Sequence, residues 1–108
     1  MKRTHRSFSI LALLALSMLA APVAAQRVEI VDDTGRQIAL PAPAQRIVSL
    51  APHVTEMLFA AGAGDQVVGA VDYSDYPAAA KTRPRVGGYT RIDLEAVAAL
   101  RPDLVIGW

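Results

Sequence analysis

RIVSLAPHVTEMLFAAGAGDQVVGAV, residues 46–71, changes its hydrophobic period twice. The first five residues form a short, β-branched apolar run and read as a buried strand. Pro52 then suits the first turn of a helix, where its missing N–H is one that has no partner anyway. From there Val54, Met57, Leu58 and Ala61 recur at i, i+3, i+4 and i+7, which predicts one apolar helical face. Gly62 and Gly64 end that helix, and QVVGAV (66–71) predicts a second strand. The glycines of GAGD (62–65) invite comparison with a phosphate-binding loop. That chemistry needs glycines that follow a strand and open a helix. These close one, and no Walker-type Gly-Lys-Ser/Thr run is present.

Downstream, DYSDYP (72–77) lies just past the second strand. A short alanine-rich piece (78–81) and a loop around RPRVGGYTR follow. Asp93 can cap a second helix with Leu94, Val97 and Leu100 on one side. Pro102 stops it, and LVIGW is a third strand, expected to be buried. Strand, helix, strand, helix, strand with short connections predicts a parallel sheet with right-handed crossovers.

Upstream, VEIVDDTGRQIALP gives two apolar-alternating arms around Asp33-Thr34-Gly35, a hairpin signal. PAPAQ (41–45) is a proline-stiffened connector. Residues 1–25 read as a secretory signal: Lys2, Arg3 and Arg6 form a basic segment, residues 8–20 are apolar apart from Ser9 and Ser17, and Val23 and Ala25 are the small residues a signal peptidase reads. At about 13 residues the apolar run is short of the ~20 that span a bilayer. Cleavage is expected after Ala25, leaving residues 26–45 as hairpin and connector and 46–108 as a partial α/β lobe. The mature form is expected to be exported and not membrane-embedded. The chain contains no cysteine, which excludes disulfides, thiolate metal sites and a thiol-linked lipid anchor. Its formal charge of +1 becomes −2 without the three basic signal residues, so nucleic acid is not an expected partner. Because DLVIGW ends the sequence on a strand with nothing to cover its edge, the chain is expected to be the front portion of a longer protein.

Ligands of open α/β sheets sit beyond the C-terminal ends of the strands. Three of the six aromatic residues fall on that edge: Tyr73 after the second strand, Tyr89 in the loop before the second helix, and Trp108 at the end of the third strand. Each has an ordinary alternative. Asp and Ser in DYSDYP favour a plain turn, which accounts for Asp75 and Pro77 but not for the rings; Tyr76 is expected to pack against the loop. Gly87 and Gly88 suit either a flexible loop or a close approach of backbone to a ligand under the Tyr89 ring. Trp108 suits either the core or one wall of a site. His53 stands alone without a paired histidine, so a zinc site is not expected, and it reads as a first-turn surface residue. No nucleophile–base pair or paired carboxylate is visible, so an enzyme is not expected, although an exported α/β enzyme or interaction domain on the same sheet is the other class. Glu95, in the first turn of the second helix, suits the helix dipole.

RIVSLAPHVTEMLFAAGAGDQVVGAVDYSDYP with RVGGYTRIDLEAVAALRPDLVIGW resembles the N-terminal lobe of the periplasmic substrate-binding proteins of metal-chelate ABC importers, over residues 28–108. YSDYP and DLEAVAALRPDLVIGW look most like the cobalamin-binding branch. The resemblance implies a Rossmann-like parallel-sheet lobe of a two-lobe, helix-linked protein, with the linking helix and second lobe absent from this chain. It implies a periplasmic monomer, no resident cofactor, and a corrinoid as ligand, with haem or a ferric siderophore as alternative; for haem, His53 or a tyrosine is a possible axial ligand. Tyr73, Tyr89 and Trp108 match the aromatics that line the corrinoid cleft, although the branch implies a tryptophan where this chain has Tyr89. Glu95 matches a surface glutamate that docks onto arginines of the permease. Three rings at roughly 1.5–3 kcal/mol each fall short of the ~12 kcal/mol of nanomolar binding, so one lobe alone is expected to bind weakly or not at all.

Overall fold

The computed structural model describes residues 26–108. The predicted signal segment lies outside the described residues.

The chain enters through an antiparallel hairpin, β1 (Val28–Val31) and β2 (Gln37–Leu40), with Val28 opposite Leu40 and Val31 opposite Gln37. Its turn is built by Asp32, whose carboxylate accepts from the Thr34 hydroxyl at 2.6 Å and from the Thr34 and Arg36 amides at 2.9 and 2.8 Å. These donors favour the charged form and hold the Asp32 carboxyl below its ordinary value, the Thr34 hydroxyl contributing most. Gly35 takes the left-handed backbone the turn requires. Ile30 and Val31 stay largely exposed, so the hairpin adds little to the core.

The parallel sheet comes next. Strand β3 (Ile47–Ser49) is buried throughout. It leads into α1 (Pro52–Ala60), which carries Pro52 in its first turn. Gly62, just beyond α1, adopts the left-handed conformation that turns the chain back. Strand β4 (Val67–Ala70) follows, then a one-turn helix at Ala78–Thr82. Two very short strands, β5 (Gly87–Gly88) and β6 (Arg91–Ile92), pair antiparallel around Tyr89 and Thr90. Helix α2 (Leu94–Ala99) begins at Asp93, whose carboxylate accepts from the Ala96 amide at 3.0 Å. Strand β7 (Leu104–Ile106) completes the sheet. The order is β4-β3-β7, with β3 parallel to both neighbours. The chain is thus a mixed α/β fold on a Rossmann-like parallel sheet, as expected.

Alternation along β3 shows how the helices are arranged. Val48 joins Val71 and Val86 in a small core against which Ala96, Val97 and Leu100 of the α2 region pack. Ser49, pointing to the opposite face of the sheet, is bonded to Thr55 of α1. One helix therefore covers each face. Far along the chain, Asp103 accepts from the Gln45 and Arg46 amides, both at 2.9 Å, and the Arg46 guanidinium caps the Leu100 carbonyl at 2.9 and 2.7 Å. The two amides lower the Asp103 carboxyl, Gln45 first.

Three packing expectations need correction. In α1 the inward residues are Val54 and Thr55, while Met57 and Ala61 are exposed. Thr55 can face inward because Ser49 and Ser74 satisfy its hydroxyl, which rotates the helix away from the purely apolar row. Leu94 is exposed, because α2 starts at the surface and only its later residues reach the core. Strand β7 is not fully buried: it lies at the sheet's edge, with Val105 43% exposed.

Candidate functional site

The C-terminal ends of β3 and β7 and the β5–β6 hairpin enclose an open hollow of about 420 Å³. Leu50, Ala51, Pro52 and His53 come from the β3–α1 crossing, Gly107 and Trp108 from the end of β7, and Tyr89 and Ile92 from the hairpin. Each element is there for a local reason. The β3–α1 crossing is pulled up to β7 by the Leu50 amide, which donates to the Ile106 carbonyl at 2.9 Å. The hairpin is tied to the end of β4 by the Asp72 amide, which donates to the Gly87 carbonyl at 2.8 Å. Gly87 has φ +105°, and a side chain there would run into the Arg91 carbonyl and the Asp93 amide, so the tight β5–β6 turn depends on glycine.

The lining combines apolar side chains, Leu50, Ala51, Pro52 and Ile92, with the rings of His53, Tyr89 and Trp108. His53 and Trp108 meet edge to face, with ring centres 6.2 Å apart and planes at 86°. Trp108 is 89% exposed and Tyr89 80% exposed. Such rings offer broad, stiff surface that loses little side-chain freedom on contact. The arrangement suits a large, flat, partly apolar ligand.

The structure brings Tyr89 and Trp108 to the same hollow. Tyr73 stands on the same strand-end edge but does not line it. It occupies a separate turn beyond β4, next to the β5–β6 hairpin, and is 82% exposed. Tyr76 does not pack against its loop: it is 70% exposed, ahead of a cis Tyr76-Pro77 bond. Glu95 is exposed in the first turn of α2. His53, expected as a first-turn surface residue and, by resemblance, as a possible haem ligand, is exposed and also lines the hollow. Its place directly after a strand end was the signal for it. Among the described residues no three His, Cys, Asp or Glu side chains gather as a metal cluster, and no helix is long and apolar enough to cross a membrane.

Comparison with known proteins fits this geometry. Residues 47–107 match the periplasmic binding protein family. A vitamin B12-binding protein of Vibrio cholerae is 49% identical over 71 residues, covering 66% of this chain and 26% of the relative. A crystal structure of a periplasmic vitamin B12-binding protein of the same species superposes with a TM-score of 0.59 at 50% identity, covering 61% of this chain and 26% of that one. A periplasmic heme-binding protein of Pseudomonas aeruginosa gives a TM-score of 0.57 at 39% identity, over 59% and 23% of the two chains. The chain therefore spans about a quarter of the length of the curated relatives it matches. With the family match covering more than half of its residues, including the sheet and both helices, the chain belongs to the periplasmic binding proteins.

Proposed function

We propose that the protein is the periplasmic substrate-binding component of an ABC importer, that it captures a corrinoid of the cobalamin type, and that it delivers it to the permease. The observation that carries this reading is that exposed Trp108 and Tyr89 line one hollow at the ends of parallel strands. Relatives named for vitamin B12 binding, at about half identity, support the ligand class. In this reading Trp108 and Tyr89 lie against the flat ligand, and Tyr73 contacts it from the adjoining turn. Capture needs no chemistry on the ligand, only apolar area and shape, which suits a site without a nucleophile–base pair. Exposed Glu95 is the docking contact for basic residues of the permease, where a rim charge orients partners more than it tightens them. The mature protein acts as a monomer in the periplasm.

One observation favours a second ligand. His53 presents an imidazole in the wall of the hollow, and a 39% identical structure is that of a heme-binding protein. Haem, with His53 on its iron, is therefore the alternative, with ferric siderophores a further class.

Titrating the full-length protein, with both lobes present, against cyanocobalamin, haemin and a ferric siderophore, followed by calorimetry and absorbance, separates these readings. Saturable binding of cyanocobalamin alone is the expected result. A shifted haemin absorbance band lost in His53→Ala selects the second reading, and binding of none of the three removes the transport role.

A further inference from the structure

Tyr73 occupies an unusual backbone position. Residues 71–74 form a turn in which the Ser74 amide donates to the Val71 carbonyl at 3.3 Å. Tyr73, its third residue, has φ +66°, while Asp72 before it is not left-handed. That is the type II pattern, in which the third place ordinarily belongs to glycine. A tyrosine there is strained, because its Cβ crowds the following carbonyl, yet the ring is 82% exposed and gains little from packing. Strain of this kind persists only where the surroundings over-determine it, and such places cluster at ligand sites.

The surroundings are specific. Ser74, next in the chain, is buried, as are Thr55 and Ser49. Their hydroxyls form a line: Thr55 to Ser74 at 2.9 Å, Thr55 to Ser49 at 2.8 Å, and Ser49 to the Ala51 carbonyl at 3.0 Å. Each hydroxyl has one proton. Ser49 gives its own to Ala51, and Thr55 lies within reach of both the Ser49 hydroxyl and, at 3.3 Å, the Ala51 carbonyl, while either hydroxyl of the Thr55–Ser74 pair can donate. The line ends at Ala51, in the lining of the hollow. On the other side of the turn the Arg85 guanidinium donates to the carbonyls of both end residues, Val71 at 3.2 Å and Ser74 at 3.0 Å, and reaches the Asp75 carboxylate at 3.3 Å.

We propose that the Ser74–Thr55–Ser49 hydroxyl line and Arg85 are a positioning device that holds the backbone of Tyr73 at the strand-end edge beside the hollow before the ligand arrives. The proposal rests on the reading of Tyr73 as a ligand contact. None of these four residues touches the ligand; they act through the turn, and they couple it to the β3–α1 crossing that forms the floor of the hollow. A turn fixed in advance leaves only the side-chain freedom of Tyr73 to be lost on binding, which is where preorganisation contributes affinity.

The test is a double-mutant cycle in the full chain. Cyanocobalamin affinity is measured by calorimetry in wild type, S74A, Y73G and the double variant. S74A is expected to weaken binding about tenfold when Tyr73 is present and not to weaken it further in Y73G. T55V is expected to behave like S74A, and T55S, which keeps the hydroxyl, like wild type. R85K, which keeps the charge but loses the fork, repeats the cycle should S74A fail to fold. Equal losses with and without the Tyr73 ring overturn the proposal, because they are what a merely structural role gives. A second arm needs no ligand. Y73G relieves the strain and is expected to raise the folding equilibrium constant about threefold, a gain that disappears in S74A, where the turn is free to relax. If wild type takes up no cyanocobalamin, the corrinoid reading falls and this folding arm alone decides the device. The same gain with and without the Ser74 hydroxyl then overturns it.

Discussion

Trp108 is the single tryptophan of the chain and stands 89% exposed at the rim of the hollow. An aromatic side chain of this kind carries about 150–250 Å² of surface, and a flat ligand laid on one face covers about half of it, roughly 100 Å². At about 25 cal/mol per Å² that contact contributes about 2.5 kcal/mol, or about 60-fold in Kd. Trp108→Ala is therefore expected to weaken cyanocobalamin binding by about 60-fold in a calorimetric titration. Trp108→Phe, which keeps a ring, should lose less than about tenfold. Thermal stability should hardly change, because the ring is exposed and meets His53 only edge to face. The same residue is a reporter: the part of the tryptophan emission that Trp108→Phe removes comes from the hollow, and saturating cyanocobalamin should quench it. An alanine variant within about threefold of wild type, or emission unchanged at saturation, refutes the placement of the ligand against this ring.

Gly87→Ala puts a side chain against backbone at a left-handed position; a loss of about 1–3 kcal/mol and a lower urea midpoint are expected, with weaker ligand binding because Tyr89 rides on the same hairpin. Asp103 and Asp32 both have lowered carboxyl pKa values, so their contribution to stability is present above the ordinary value of 3.8 and is lost as pH falls through the lower folded value. Urea midpoints measured from about pH 6 down to about pH 2 should therefore fall on the acid side, and Asp103→Asn should flatten that fall. Glu95→Lys is expected to leave cyanocobalamin affinity unchanged while reducing permease-dependent uptake into cells; unchanged uptake removes the docking role.

Much of the fold was legible because local chemistry and tertiary need agree at its punctuation. Pro52, Gly62 and Asp93 each do at their positions what their backbone or side-chain chemistry favours, and the two helices start or stop there. The inward rotation of Thr55 was not legible, because it depends on two serines, one in β3 and one nineteen residues downstream, that meet only in the folded chain. Nor was the β5–β6 hairpin, since two-residue strands show no alternation and Gly87 and Gly88 read equally well as loop. At the site, the rule that ligands collect beyond strand ends singled out Tyr89 and Trp108, which the structure brings to one hollow. It did not by itself single out His53, whose lack of a partner histidine argued against a zinc site and which only the resemblance named, as a possible haem ligand.

The middle strand of the sheet is made first and finished last. One flank of β3 is satisfied by β4, with Ile47 paired to Val67, but the other waits for Leu104 and for Asp103, which holds the Arg46 amide across 57 residues of chain. Closing a loop of that length costs roughly 3.5 kcal/mol, about 1 kcal/mol more than the β3–β4 closure. The second pairing should therefore form late, as non-local strand pairings do. Until then a nascent polypeptide presents Ile47, Val48 and Ser49 with a bare hydrogen-bonding edge, the kind of surface on which a neighbouring molecule can add a strand before its proper partner emerges. Aggregation during synthesis should thus be governed less by the aromatic rim than by how soon Leu104 to Ile106 arrive.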